Sequence, residues 1–168
     1  MSKARERYSQ LMTNRTQFLD TAVECSELTL PYLVTQDDNY KGKRTLIQPY
    51  QSVGAKAVVT LAAKLMLAIL PPQSAFFKLQ VRDDKLGEQL DQTMRSELDL
   101  SFSKVERLIM DYIAASSDRV VVHQALKHLI VSGNALIFMS KDGLKHYPLQ
   151  RYVVNRDGNG NVVEIVTK

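Results

Sequence analysis

The sequence has almost no cysteine. Cys25 is the one cysteine among 168 residues. A single cysteine excludes an internal disulfide framework and suits a reducing cytoplasm. Because Cys25 falls among the apolar positions of a predicted first helix, we expect a packed thiol rather than a nucleophile.

Long hydrophobic runs are missing as well. Residues 58–70 form an apolar run that is too short to cross a membrane, which takes about 20 residues, and Lys64 interrupts it. The N-terminus is polar and charged, so no signal peptide is visible. A hydrophobic share of 45% and a charged share of 24% are ordinary for a globular protein. The sequence therefore predicts a soluble, intracellular single domain with no membrane partner.

Motifs that carry catalysis or bind metals are not recognisable. Gly54 and Gly133 each stand alone, so the chain has neither a Walker loop nor a nucleophile elbow. His123 and His128 are five residues apart on a predicted helix and point to different faces, so they cannot bind one metal as an i, i+4 pair would. His146 has no ligand spacing around it. We predict ordinary surface or core histidines, no metal or cofactor, and no enzymatic activity.

The segment 157–161 (DGNGN) superficially suggests a calcium loop. Such a loop needs glycine at its sixth position and glutamate at its twelfth, where this chain has Val162 and Lys168. We therefore expect a tight hairpin turn there.

The charge balance is mildly basic, with a net charge of +4 and a sequence pI of about 9.2. This permits a nucleic-acid partner without requiring one. Lys41, Lys43 and Arg44 form a small cluster that is either a solvated loop or a phosphate contact. Lys64 either lays its methylenes along the surface or forms a salt bridge to a neighbouring subunit. Both alternatives stay open for each site.

The strongest structural signal lies in residues 49–79. Residues 53–70 have one apolar face at helical spacing, which a second set of apolar residues widens. The first set is Val53, Ala57, Leu61, Leu65 and Ile69, and the second is Val58, Ala62, Met66 and Leu70. Ser52 is the predicted N-cap, and Pro71-Pro72 ends the helix. Apolar and polar residues then alternate over residues 77–81, which predicts a half-buried strand.

The remaining pattern predicts an α+β fold whose helical N-terminal two-thirds precede antiparallel β-hairpins. We expect a first helix over residues 5–28. A helix from Asp83 or Asp84 to Tyr112 follows, either continuous or divided near Ser101, and then a helix capped by residues 116–118. Hairpins are expected over residues 135–147 and 152–167.

Glycine at position 133 is predicted to end the last helix in the left-handed conformation. A β-branched side chain is disfavoured there. We therefore expect Gly133→Val to be more destabilising than Gly143→Val, because the hairpin turn at Gly143 is taken to be exposed and able to rearrange.

An ordered set of segments resembles a known family. The segments are residues 28–31 (LTLP), 50–56 (YQSVGAK), 61–68 (LAAKLMLA), 105–113 (VERLIMDYI), 125–129 (ALKHL), 133–134 (GN), 152–154 (YVV) and 156–157 (RD). In this order they are similar to the N-terminal part of the head-to-tail connector, or portal, proteins of short-tailed bacteriophages (podoviruses). The resemblance runs from about residue 15 to residue 167.

The resemblance implies a structural virion protein. Portal subunits form a homo-oligomeric ring, usually a dodecamer, at one vertex of the capsid. Such a ring nucleates head assembly with the major capsid and scaffolding proteins and docks the packaging ATPase (terminase). It passes double-stranded DNA without sequence preference and seats the tail adaptor proteins, so it serves DNA packaging and genome ejection. Assembly would take place in the host cytoplasm.

The resemblance also implies that residues 1–168 are one wing-like domain. Members of the family are several times longer, so the stem, the clip and the remaining tunnel regions would be absent from this chain. An alternative function from another class is a stand-alone basic helical nucleic-acid-binding module, which the basic balance alone suggests.

Overall fold

A computed structural model describes residues 3–35, 47–72, 74–80 and 91–168 of the chain. The helices are α1 (Lys3–Asn14), α2 (Thr16–Leu28), α3 (Val53–Ile69), α4 (Gln92–Ala115) and α5 (Asp118–Ser132). The strands are β1 (Leu136–Ser140), β2 (Gly143–Tyr147), β3 (Tyr152–Arg156) and β4 (Val162–Thr167), with a 3-10 helix at Leu149–Arg151. The predicted α+β class, with helices first and hairpins last, is confirmed.

The first helix is divided, contrary to the prediction of one helix over residues 5–28. Arg15 leaves helical geometry with φ −108° and ψ 12°, and its amide donates to the Met12 carbonyl at 3.3 Å, three residues back. The Arg15 guanidinium donates to the Leu149 carbonyl at 2.8 Å. This contact with a distant segment was invisible to helical periodicity.

The predicted helix in residues 53–70 is confirmed, but its buried side is formed by the second apolar set of the sequence pattern and not by the first. Val58, Ala62 and Met66 are buried, whereas Val53 and Leu61 of the first set are exposed. Ser52 makes no side-chain hydrogen bond as an N-cap. The helix ends at Ile69, just before the two prolines, as expected.

The predicted strand over residues 77–81 is wrong for its described part. Residues 77–80 pair with no strand in the described chain, and Val81 lies outside the described residues. Phe77 and Leu79 are still half-buried, as the alternation indicated. The Leu79 amide donates to the Glu106 carboxylate of α4 at 2.6 Å. A side chain of α4 therefore replaces the ladder partner that the pattern suggested.

Helix α4 begins with a capping aspartate and continues through Ser101. Asp91 accepts from the Gln92 amide at 2.7 Å. The Ser101 hydroxyl donates to the Glu97 carbonyl at 2.9 Å, so it does not cap a second helix. The uninterrupted alternative is therefore correct within the described residues, and the proposed starts at Asp83 or Asp84 lie outside them.

The main core joins both ends of the chain. It is formed by buried side chains from α2, the segment after it, α3, α5 and the chain around the 3-10 helix. Its members are Ala22, Val23, Leu30, Leu33, Val34, Val58, Val131, Leu149 and Tyr152. The buried Ser26 hydroxyl donates to the Leu30 carbonyl at 2.8 Å and accepts from the Val34 amide at 3.1 Å. The first bond adds to the one that the Leu30 carbonyl accepts from the Leu33 amide at 3.0 Å, and the second gives the buried Val34 amide an acceptor.

Cys25 is exposed, so the expectation of a packed thiol is wrong. Its neighbours Ala22, Val23 and Ser26 take the buried side of α2. The cysteine points to another side of the same helix, because each residue of an α-helix is rotated by about 100° from the one before it.

Both hairpins are confirmed to within one residue at their strand ends. β1 pairs with β2 in antiparallel register, from Leu136 opposite Tyr147 to Ser140 opposite Gly143. β3 pairs with β4 in the same sense, with an irregularity at Arg156.

The turn between β3 and β4 is closed by Asp157, as expected for a hairpin rather than a calcium loop. Its carboxylate accepts from the amide and the side chain of Asn161 at 2.8 and 3.1 Å, and from the Asn159 amide at 3.0 Å. The hydrogen bond from the Asn161 side chain is the main reason why the pKa of Asp157 lies below its usual value.

Candidate functional site: exposed helical faces

Lys64 is the one predicted site residue that the structure describes. Its side chain is exposed on α3 and makes no hydrogen bond or ion pair with the described part of the chain. Lys41, Lys43 and Arg44 lie outside the described residues. The structure therefore leaves both interpretations of the basic cluster open and places Lys64 where a second molecule can reach it.

Lys64 belongs to an outward-facing apolar surface. Val53, Leu61 and Leu67 are exposed on the side of α3 away from Val58, Ala62 and Met66. We call this surface the α3 outer face (Val53, Leu61, Lys64, Leu67). An apolar face as wide as the sequence indicates favours more than one neighbour, and within the described chain only one side of α3 has a neighbour.

Helix α4 is still more exposed. Along its 24 residues, all of which are described, no side chain is buried. Five large hydrophobic residues lie within about 100° of arc at spacings of 3, 4, 7 and 11 residues. We call them the α4 stripe: Met94, Val105, Leu108, Ile109 and Tyr112. Exposed contiguous apolar surface of this kind marks interaction sites in soluble proteins.

The end of the α4 stripe borders a groove of about 390 Å³ between α4, α5 and the β1–β2 hairpin. Its walls are mostly apolar, with Leu70, Ile113 and Leu144 among them. Asp118, also in the wall, accepts from the Leu144 amide at 2.9 Å. Because this carboxylate is already hydrogen-bonded to the hairpin, the groove is better suited to apolar contact than to catalysis.

A polar junction connects α1 to the C-terminal hairpins. The Tyr8 hydroxyl donates to the Gln150 carbonyl at 2.7 Å, and the Arg15 guanidinium lies 6.0 Å from the centre of the Tyr152 ring. Burial lowers the pKa of Arg15 and raises that of Tyr152 to about 12, the latter partly offset by the positive charge of Arg15. These shifts reflect packing, and the junction serves to fix the N-terminal helices.

The three histidines do not assemble a metal site among the described residues, where no group of three or more His, Cys, Asp or Glu side chains could hold an ion. His123 is half-buried and makes no ring contact, as expected from its different helical face. His128 and His146 do meet, with ring centroids 4.3 Å apart. Sequence spacing gave no signal for this pair, because 18 residues and a helix-to-strand turn separate its members.

No helix in the described ranges is both long and apolar enough to cross a membrane.

Comparison with known proteins gives a consistent result over the whole chain. The profile of a family described as bacteriophage head to tail connecting protein matches residues 1–168. A portal protein of Enterobacteria phage T3 is 38% identical over 172 aligned residues, which cover 98% of this chain and 32% of the relative. Portal proteins of Escherichia phage T7 and Enterobacteria phage SP6 are 35% and 34% identical over the same shares of each chain.

The chain thus spans about a third of the length of these relatives. The matches support the connector interpretation over a stand-alone nucleic-acid-binding module, and they agree with the resemblance seen in the sequence. Because the family profile extends over every residue, the assignment does not depend on one segment. The chain belongs to the family of bacteriophage head-to-tail connecting proteins.

Proposed function

We propose that residues 1–168 form a wing-like domain of a portal subunit, and that the subunit assembles into a closed homo-oligomeric ring at one vertex of the capsid. The observation that carries this proposal is α4, a 24-residue helix with an apolar stripe and no buried side chain. An isolated helix gains little stability from propensity alone, so such a helix needs a packing partner. In a ring, each subunit supplies that partner to the next.

The α3 outer face and the α4 stripe are different surfaces of one chain. An interface that joins two different surfaces is heterologous, and it generates a ring when the rotation between copies closes. We assign Lys64 to this contact, as a cation that reaches a carboxylate of the neighbouring subunit. Its exposure and its lack of an ion pair with the described residues support that role.

The role is structural rather than catalytic. The ring would nucleate head assembly with the major capsid and scaffolding proteins, dock the packaging ATPase, pass DNA and seat the tail adaptor proteins. It would reside in the virion after assembly in the host cytoplasm. Family membership supports this set of partners, each of which is a proposal for this chain.

A charge in the α4 stripe is expected to weaken assembly of the natural-length protein. Leu108 is 68% exposed, so Leu108→Glu should change the stability of the subunit by less than about 0.5 kcal/mol. In a formed interface the new carboxylate would be buried and unpaired. The association constant of each contact between subunits should therefore fall by roughly tenfold or more. Analytical ultracentrifugation of the purified variant measures the effect.

Ser96→Glu is the matched control, because it adds the same charge on the exposed opposite side of α4. It should assemble like the parent. Equal assembly of Leu108→Glu and the parent would show that the α4 stripe is not the interface.

The basic cluster is proposed to contact DNA phosphates. Replacing Lys41, Lys43 and Arg44 together by alanine should reduce retention of packaged DNA more than it reduces head assembly. The affinity of the parent protein for duplex DNA should be weak. If all three cations contact phosphates, the plot of log affinity against log salt concentration should be less steep for the variant, by up to about 2.7. Filter binding over a salt series tests this. An unchanged slope would assign the cluster to a solvated loop, and a salt-insensitive, sequence-specific complex would favour the stand-alone module.

A further inference from the structure

We propose that His128 and His146 form a proton-sensitive contact that holds the β1–β2 hairpin on α5 while both rings are neutral and releases it when they are protonated. The proposal is independent of ring assembly, because both residues and both elements belong to one chain. It rests on the position of the two rings, the hydrogen bonds that they lack, and the surfaces that they join.

The two imidazoles lie against each other inside the fold. His128 is on the buried side of α5, 7% exposed, and His146 is half-buried on β2. Their centroids are 4.3 Å apart and their planes are inclined by 39°. β2 is the strand of the hairpin that packs most closely on α5. The pair therefore sits directly in the interface between the hairpin and the helix.

Each ring also has a buried nitrogen without a partner among the described residues. These atoms are Nδ1 of His128 and Nε2 of His146. In a neutral imidazole one nitrogen carries the hydrogen and the other is an acceptor, so the nitrogen without a partner need not carry a hydrogen in either ring. A protonated imidazole carries a hydrogen on both nitrogens, and a buried N–H donor without an acceptor is costly. Protonation would create such donors on both rings.

Within the described residues no carboxylate compensates for protonation of the pair. Burial, and then repulsion from His146, lower the pKa of His128, burial lowers the pKa of His146, and no acidic group raises either value. β1 has no titratable side chain. The titratable groups on the elements packed against the pair are Asp20, Glu24, Cys25 and Glu27 of α2, Lys56 and Lys64 of α3, and Lys104, Glu106, Arg107, Asp111 and Tyr112 in the C-terminal half of α4. The pair's own elements carry Asp118, Arg119, His123 and Lys127 on α5 and Lys145 and Tyr147 on β2. None of them makes a hydrogen bond or ion pair with either ring.

The lowered pKa values of both histidines indicate that the folded chain favours the neutral rings. Burial lowers the pKa of His128 to about 4, with a smaller contribution from His146, and burial also lowers the pKa of His146. Both folded-state pKa values lie below the value of about 6.5 for an unfolded chain. Stability from the neutral pair is therefore complete above pH 6.5 and is lost as pH falls from there toward 4. For each imidazole that must stay neutral, the ratio of hairpin held on α5 to hairpin released falls by about tenfold for each pH unit within this range.

The geometry does not suit a metal. The lone pairs of imidazole nitrogens lie in the ring planes. The two rings are inclined by 39° with their centroids 4.3 Å apart, and within the described residues no third His, Cys, Asp or Glu side chain joins them to form a set of ligands. The pair is therefore better suited to sensing protons than to binding an ion.

Hydrogen exchange of the natural-length protein at pH 7.0 and pH 5.0 tests the proposal, with each rate divided by its intrinsic rate. Amides of β1 and β2 should lose protection at least about tenfold at pH 5.0. Amides of β3 and β4 have no histidine in their hairpin and should keep their protection. Equal protection of β1 and β2 at both pH values would overturn the proposal.

Variants separate the pair from other titrating groups. His146→Phe keeps an aromatic ring beside His128 and should reduce the pH effect, and the double variant with His128→Phe should abolish it. His146→Gln is a smaller neutral replacement that should also reduce it. His123→Gln removes the other histidine of α5, whose pKa burial also lowers but which lies outside the pair, so the selective loss of protection in β1 and β2 should persist. A loss of protection that persists undiminished in the His146 variants would assign it to another group, such as Asp118, and contradict the proposal.

Discussion

Replacing Leu149 with alanine is expected to lower the free energy of unfolding by about 2–5 kcal/mol, the usual cost of a leucine deleted from a core. Leu149 is 1% exposed and packs in the cluster that joins α2, α3 and α5 to β3. It also stands in a three-residue 3-10 helix whose backbone is held by Arg15. The surrounding chain is therefore restrained and should collapse poorly around the cavity. Urea unfolding followed by circular dichroism measures the change.

Leu100→Ala is the matched control. Leu100 lies on α4 and is 60% exposed, so its loss should change the free energy of unfolding by less than about 0.5 kcal/mol. Equal effects of the two substitutions would mean that the core does not extend to the 3-10 helix.

Gly143→Val is expected to be the more damaging of the two glycine substitutions, which reverses the order expected from the sequence. Gly143 has φ +114°, and a Cβ atom there would lie 2.9 Å from Oδ1 of Asp118. The same oxygen accepts from the Leu144 amide. Valine should cost about 1–3 kcal/mol in backbone strain and about 1 kcal/mol more through the displaced hydrogen bond. Thermal unfolding of the variants compares them.

Gly133 does have the predicted left-handed conformation, with φ +69°, and a Cβ atom there would meet no atom of the described residues within 4 Å. Gly133→Val should therefore cost about 1–2 kcal/mol, from strain alone. Gly158, which has neither a positive φ nor a close neighbour, gives the control, and Gly158→Val should unfold nearly like the parent. If Gly143→Val were milder than Gly133→Val, Asp118 would not anchor the hairpin as described.

The correct predictions depend on signals that are local in sequence. The end of α3 before Pro71, the left-handed Gly133 and the turn at Asp157 are each decided within a few residues. The hairpins follow for the same reason, since the turn fixes the register of the strands beside it. Such features need no knowledge of distant contacts.

Several of the missed features depend on contacts between distant segments. The break at Arg15 follows its bond to Leu149, which lies 134 residues later in the chain. The packing of His128 on His146 and the contact between Gly143 and Asp118 also join segments that no periodicity connects. The sequence could not decide which side of α3 is buried, because both sets of apolar residues have helical spacing. Packing against other segments of the chain decides it.

The candidate site was predicted in part. The wide apolar pattern of α3 favours a helix with more than one neighbour, and Lys64 lies within that pattern. The described chain supplies a neighbour on one side only, so the second neighbour stays a prediction. The α4 stripe could not be predicted as an exposed surface, because apolar residues at the same spacing also describe a helix packed in a core. Exposure distinguishes the two cases, and exposure is a property of the folded chain.

Native mass spectrometry of the natural-length protein, measured beside residues 1–168 alone, tests the proposed closure of the subunits into a ring. We expect the natural-length protein to give one closed oligomer of defined stoichiometry, and residues 1–168 to be monomeric or weakly associated. A natural-length protein that stays monomeric at micromolar concentration in assembly buffer would contradict ring closure.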